Sequence, residues 1–253
     1  MKAGGRGRIV FWPGGSVWIG RAEGASDFHS HHAVQITLAL PGSRVSFREP
    51  GGRWLAYEAA VVPAHRAHAM DAPGQEVALV FSEPESRVGR AIQLRYRGHG
   101  VSNLTREPVA AQLEGLAAAY QRRDPDDALA ARAQQALVAL AGTAPRPEAA
   151  LDARVTRAIE LVRARLDETV SLGEVADAVR LSSDRFRHLF IEQTGVRFRP
   201  YVLWLRMERA VGEYASGASL TDAAYAGGFA DSAHFSRTFR RMFDLPAAAV
   251  RIE

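Results

Sequence analysis

The chain has no cysteine among its 253 residues. Disulfides, thiolate-bound metals and cysteine nucleophiles are therefore excluded, and such usage suits a reducing compartment. No run of about 18 apolar residues is present to cross a bilayer. The opening MKAGGRGRIVFWPGG has no apolar core of the kind a secretion signal needs. Together these absences predict a cytoplasmic protein with no membrane partner. Lysine is nearly missing too: Lys2 stands alone, so the basic side chains are arginines, whose planar fork suits phosphate and guanine. The formal net charge is only +4, so a nucleic-acid surface has to come from local concentration rather than from the total. The length suffices for two modest domains.

What is present organises itself around residues 171–251, where one pattern occurs twice. Ser171 is a good N-cap with Glu174 in the capping-box position, and Leu172, Val175, Ala176 and Val179 form an apolar stripe. After the turn Arg180-Leu181-Ser182, a second helix capped by Ser182 or Ser183 buries Phe186, Leu189 and Phe190. Helical geometry then points Asp184, Arg187, His188 and Ile191 outward. In the second copy Ser219 caps, Leu220, Ala223 and Ala224 line the first helix, and Gly227-Gly228-Phe229 turns the chain. Asp231 or Ser232 caps the last helix, which is expected to bury Phe235, Phe239 and Met242. Ala233, Arg237, Arg240 and Arg241 face outward, with His234 and Ser236 on the flanks. Between the copies, Pro200 opens a helix whose apolar residues can pack on both units. Residues 180–209 hold seven arginines against Asp184, Glu192 and Glu208, a local basic excess that docking on DNA requires.

Two helix-turn-helix units joined by one helix are a far more specific signal than one. The segments LSSDRFRHLFIEQTGVRFRPYVLWLRMERA and AYAGGFADSAHFSRTFRRMFDLPAAAVR resemble the AraC/XylS-type transcription-regulator domain. The resemblance covers roughly the last two-fifths of the chain. It implies that Asp184, Arg187 and His188 in the first unit, and Ser232, His234, Ser236 and Arg237 in the second, approach DNA; Arg240, outward on the same helix, joins them. Arg180 stands where the family usually has Gly, His188 where it usually has Arg, and Asp244-Leu245 replaces a Gly-containing turn. Relatives fused to alkyl-transfer repair modules use cysteine acceptors, which this chain lacks.

Residues 8–83 read as β: short β-branched or aromatic runs separated by PGG, PGS, PGGR and APGQ turns. Val34, Ile36, Leu38 and Leu40 mark one inward face, and no helix of length is expected before about Val109. FHSHHAVQ and, later, VVPAHRAHAM resemble the two half-motifs of the cupin barrel, an effector domain often found ahead of this DNA-binding domain. The resemblance places His29, His31, Gln35 and His68 at the metal-ligand positions. Gln35 replaces the usual Glu and removes a negative ligand. The readings are a divalent metal ion, or histidines bonded around an organic effector. The three tryptophans of this region, Trp12, Trp18 and Trp54, read mainly as core.

From Pro108 to Ala141 the period turns helical in two stripes separated by RRDPDD, a hairpin that packs on the barrel or pairs with a second subunit. The expected fold is α+β in two domains: a cupin-like sensor over 1–107, a helical dimerisation hairpin over 108–141, a linker over 142–151, and an AraC-type DNA-binding domain over 152–253. The expected function is a bacterial, effector-responsive transcription regulator and not an enzyme. Its expected partners are promoter DNA, a small-molecule effector, RNA polymerase and a second copy of itself. The rivals are a metal-dependent cupin enzyme with a helical tail, and a DNA binder that needs no effector.

Overall fold

The structure is a computed structural model that describes residues 3–96, 98–104, 110–142 and 150–253. The chain forms two compact units, one of Met1–Pro147 with Phe239–Glu253, the other of Glu148–Thr238. Most of the expected linker lies outside the described residues.

In the first unit, β1 (Gly4–Trp12) and β2 (Gly15–Glu23) form a hairpin closed by Pro13-Gly14, with Trp12 opposite Gly15. Gly14 holds φ at +95° there, a conformation that glycine adopts without a Cβ penalty. The chain continues through β3 (Val34–Ala39), β4 (Val45–Arg48), β5 (Leu55–Tyr57), β6 (Ala59–Val62), β7 (Ala69–Asp71), β8 (Glu76–Ser82), β9 (Ser102–Asn103) and β10 (Val250–Ile252). These pair as a seven-stranded sheet, in the order β10-β1-β2-β8-β3-β6-β9, and a three-stranded sheet, β5-β4-β7. Strand β3 is buried along its whole length. Its even-numbered residues Val34, Ile36 and Leu38 pack with Ile92, Leu116 and Leu137 in the larger core, as the alternation predicts. A smaller core joins Phe47 and Val45 of the small sheet to Ala60, Val62 and Val77 of the large one.

The helices of this unit are α1 (Arg87–Arg95), α2 (Ala110–Gln121) and α3 (Asp126–Gly142). Helix α1 corrects the expectation of none before Val109. Ser86 caps it by accepting the Gly89 N–H at 2.8 Å, and Ala91 and Ile92 anchor it in the core. Its arginines hide that short apolar face in the sequence. The stripes Leu113, Leu116, Ala117 and Leu129, Ala133, Leu137, Leu140 are buried on the large sheet, so those faces of the hairpin are already occupied within one chain.

The second unit is helical: α4 (Ala153–Ala164), α5 (Leu172–Ala178), α6 (Ser183–Thr194), α7 (Phe198–Ala215), α8 (Leu220–Ala226) and the beginning of α9 (Ser232–Phe243). Phe186, Phe190, Phe198 and Tyr201 form one aromatic core with ring centroids 5.2–5.7 Å apart along its contacts. Two expectations need correction. Phe243, not Met242, is the buried residue at the end of α9, one step round the helical wheel. Phe239, expected in a purely C-terminal core, belongs to the first unit, where it stacks on Trp18. Phe186 is fully buried, so Phe186→Ala is expected to destabilise the second unit by about 3–5 kcal/mol. Denaturant unfolding of the full chain followed by backbone exchange in α5–α7 measures it, and a loss under about 1 kcal/mol contradicts the packing described.

Candidate nucleic-acid interface and a histidine pocket

Each helix-turn-helix turn closes by the same pair of backbone bonds. After α5, the Arg180 N–H donates to Asp177 O at 3.0 Å and the Leu181 N–H to Ala176 O at 2.9 Å. After α8, Gly228 donates to Tyr225 O and Phe229 to Ala224 O, both at 2.9 Å. This is the Schellman closure, which needs a left-handed residue just past the helix. Gly228 supplies it at φ +74° and Arg180 at φ +57°. The Arg therefore keeps the family's turn at a local cost of about 1 kcal/mol. Asp244, the other departure, is left-handed too, at φ +52°, where Asp is better tolerated.

Ser171 forms the expected capping box with Glu174. Ser182, rather than Ser183, caps α6 by accepting the Arg185 N–H at 3.3 Å. For α9 the cap is Asp231, whose carboxylate accepts the His234 N–H at 2.6 Å. On α6, Asp184, Arg187 and His188 are all exposed, and Arg187 is held to Asp184 at 2.7 Å. On α9, Arg237 and Arg240 are exposed while Ser232, His234 and Ser236 are half-buried. His234 lies edge-on to Phe229, centroids 5.2 Å apart.

Five of the six histidines of the first unit fall into two sets. His32 Nδ1 lies 3.1 Å from His65 Nε2, and His32 Nε2 lies 2.6 Å from Glu85 Oε1. His29, His31 and His68 form the other set, with one ring nitrogen from each inside a 4.8 Å span. His29 and His31 precede β3 and do not share one strand with Gln35, as an alternating FHSHHAVQ run would have them. Reciprocal backbone bonds of 3.0 Å between His29 and His68 bring them together instead.

All three rings of this set are oriented alike. His29 Nδ1 contacts Asp27 O, His31 Nδ1 contacts Ala33 O, and His68 Nδ1 contacts Arg66 O, each at 2.9 Å. A carbonyl only accepts, so in neutral His29 and His68 the proton resides on Nδ1 and Nε2 carries a lone pair. The His68 Nε2 is buried with no hydrogen-bond partner among the described residues. His31 Nε2 lies 2.8 Å from Gln35 Oε1, which also only accepts, so neutral His31 donates to just one of these two oxygens, and Gln35 Nε2 donates to Thr37 Oγ1 at 2.8 Å. Beside the cluster is a cavity of about 120 Å³ whose wall includes His29, Gln35, Trp18, Met70, Phe81 and Phe243.

A family model described as a helix-turn-helix domain matches residues 175–252. The HTH-type transcriptional activator RhaS of Citrobacter koseri is 35% identical over 101 residues, which is 40% of this chain and 36% of that protein. RhaS of Escherichia coli K12 is 38% identical over 85 residues, 33% of this chain and 31% of the relative. The matches thus span about a third of those relatives' length. The chain carries an AraC-type helix-turn-helix domain. Over nearly its whole length it shares a fold with ToxT of Vibrio cholerae, at TM-score 0.61 and 12% identity, covering 93% of this chain and 97% of that one. A structure of ToxT with unsaturated fatty acid bound matches at TM-score 0.58 and 13% identity, covering 91% of each chain.

The helix-turn-helix domain thus presents the sequence-derived DNA candidates on two similarly capped helices, and the first unit brings His29, His31, Gln35 and His68 together. Sequence reasoning missed Phe243 as a wall of the histidine pocket; its only signal was a second aromatic four residues after Phe239.

Burial lowers the pKa of His29 and holds that of His68 well below the ordinary value of 6.5. It takes His31 to about 3, the neighbouring His29 adding to the effect. A folded-state pKa below the unfolded one means that the unfolded chain binds more protons. This contribution to stability is present above pH 6.5 and lost as pH falls toward the folded value, by up to about 1.4 kcal/mol per pH unit for each histidine. With chelator present, the first unit is expected to lose denaturant resistance from pH 7 to 5, and His31→Gln to lose less. Equal losses in both would contradict the burial of a neutral His31.

Proposed function

We propose that the chain is an effector-controlled, sequence-specific DNA-binding regulator of transcription that works in the cytoplasm. The observation that carries the reading is the pair of capped helix-turn-helix units, each closed by the same turn and each presenting polar side chains on its second helix. In such units the first residues of the second helix meet base edges in the major groove. Arg237, exposed and not held to a carboxylate in its own helix, is the residue best suited to a bidentate guanine contact. Asp184, Arg187, His188, Ser232, His234, Ser236 and Arg240 complete the interface, and Arg187 exchanges its Asp184 partner for DNA. A homodimer on promoter DNA, with RNA polymerase as the further partner, is the assembly this reading expects.

The control site is the His29/His31/His68 pocket. The three rings fit a divalent transition metal ion: each Nδ1 faces a backbone carbonyl, the second-shell arrangement that orients imidazole ligands, and among the described residues the buried His68 Nε2 has no hydrogen-bond partner. His29, His31 and His68 would hold the ion, with Gln35 beside them as a neutral oxygen donor. A bound ion would supply positive charge and a Lewis-acidic anchor for an organic effector. ToxT has been seen with an unsaturated fatty acid; without an ion, these neutral imidazoles instead suit a hydrogen-bond donor. The rival metal-dependent enzyme would have no use for two helix-turn-helix units, and a binder without effector would have none for the pocket.

Arg237→Ala is expected to weaken binding to a selected operator by about 1–3 kcal/mol at fixed salt while thermal unfolding stays unchanged. Undiminished affinity would remove Arg237 from the interface. Protein purified without chelator is expected to contain roughly one transition-metal ion per chain, lost in the double variant His29→Ala/His68→Ala. A metal-free wild type that this double variant leaves fully effector-responsive would make the histidines structural only.

A further inference from the structure

Within the second unit of the chain, three segments meet at one side chain. Arg206 lies midway along α7, the helix that joins the two helix-turn-helix pairs. Its Nε–H donates to Leu166 O at 3.2 Å, and a terminal N–H donates to Glu168 O at 2.7 Å. Both carbonyls belong to the connection that leaves α4 and leads to Ser171, the cap of α5. Arg206 therefore grips the chain just ahead of the first helix-turn-helix. The turn of the second one packs on the same place. A Cβ on Gly227 would come within 2.7 Å of Arg206 O, and one on Gly228 within 2.3 Å of Leu166 O and 3.2 Å of Arg206 Nε. That turn rests on the Arg206–Leu166 contact with no room for a side chain between them, and α9 begins soon after it, at Ser232.

The guanidinium is half-buried, and the partners it has there are neutral carbonyls. Burial pulls its pKa below the ordinary arginine value, so the charge is held at this junction against its tendency to stay in water. Its planar fork reaches two carbonyls at once in a fixed geometry, which a lysine ammonium does not. The ion pairs that also link α7 to the end of α4 and the connection after it, Arg163–Glu208 and Arg209–Asp167, are both 3.9 Å long and partly exposed, and such pairs hold little.

We propose that Arg206 is the positioning residue that fixes the separation of the two helix-turn-helix pairs, and so the number of base pairs between the two DNA segments they read. The inference rests on the regulator reading above. One inserted base pair shifts the second segment by about 3.4 Å and turns it by about 35° around the duplex. Two recognition helices held rigidly follow one spacing only, whereas two that slide past each other accept several. Arg206 is placed to decide between these cases, because it alone bonds the lead into α5 while its own backbone and guanidinium lie under the turn between α8 and α9.

The test uses full-length protein at fixed salt, an operator selected from random DNA by the wild type, and copies with one or two base pairs inserted or removed between the two protected segments. The wild type is expected to lose at least about tenfold in affinity on each respaced copy. Arg206→Met keeps an apolar stem and removes both donors. It is expected to lose at least about tenfold on the original spacing and to bind the respaced copies within about threefold of that, a flattened profile. Arg206→Lys, with one ammonium for two carbonyls, is expected to fall between. A Met variant that keeps the wild-type profile, or that loses affinity in parallel at every spacing as mere destabilisation would cause, overturns the assignment. If circular dichroism shows Arg206→Met unfolded, Arg206→Lys decides by the same two outcomes. A wild type that protects one segment only, or tolerates every spacing, overturns the proposal while leaving sequence-specific binding in place. One that enriches no DNA sequence ends the regulator reading and the proposal with it.

Discussion

Both helix-turn-helix units depend on one backbone constraint: a helix must stop, and the chain reverse, within about three residues. The Schellman bonds do this twice, from Arg180 and Leu181 back into α5 and from Gly228 and Phe229 back into α8. Each needs one residue in the left-handed region, and the residue that follows, Leu181 or Phe229, drops into the apolar layer beneath. Gly228 meets the requirement freely. Its surroundings allow little else, since a Cβ there would come within 2.3 Å of Leu166 O. Arg180 meets it under strain, which shows that the turn is imposed by the packing of α5 and α6 rather than by local preference. Without these turns, Phe186 and Phe235 would not be aimed inward while Arg187 and Arg237 are aimed out.

The first unit relies on a different constraint, the fate of buried ring nitrogens. Burial makes a charged imidazole costly, so His31 and His68 stay neutral, and the backbone carbonyl at Arg66 keeps the His68 proton on Nδ1. His29 follows the same rule through Asp27 O. The outcome is a lone pair on each of His29 and His68, close together and beside a small cavity lined by His29, an arrangement that repels anions and favours a cation or a donor. Gln35 fits this environment better than a glutamate without an ion would, because a second buried charge is avoided.

Much of this was legible in the sequence because it is local. Caps, apolar stripes at helical spacing and the repeated turn are decided within about ten residues, so α5, α6, α8 and α9 could be read directly, outward faces included. The β-hairpin at Pro13-Gly14 and the alternation in β3 were equally plain. What could not be read is non-local or marginal. Strand β10 is three residues long and exists only because Gly5–Gly7, at the opposite end of the chain, offers it an edge. Helix α1 has two buried anchors among arginines. His29, His31 and His68 were recognisable as a group from their resemblance to the cupin half-motifs, but the tautomers of His29 and His68 follow from carbonyls that only the folded loops supply. Phe243 differs from Met242 by 100° on the wheel, and aromatics so near a helix end do not reveal which surface they will meet.

The central claim is that two recognition helices read DNA together. Chemical footprinting of the full chain on an operator selected from random sequence tests it most directly. The account predicts two protected major-groove segments on one face of the duplex, with centres about 10 base pairs apart. A single protected segment, or protection with no sequence preference, would contradict it.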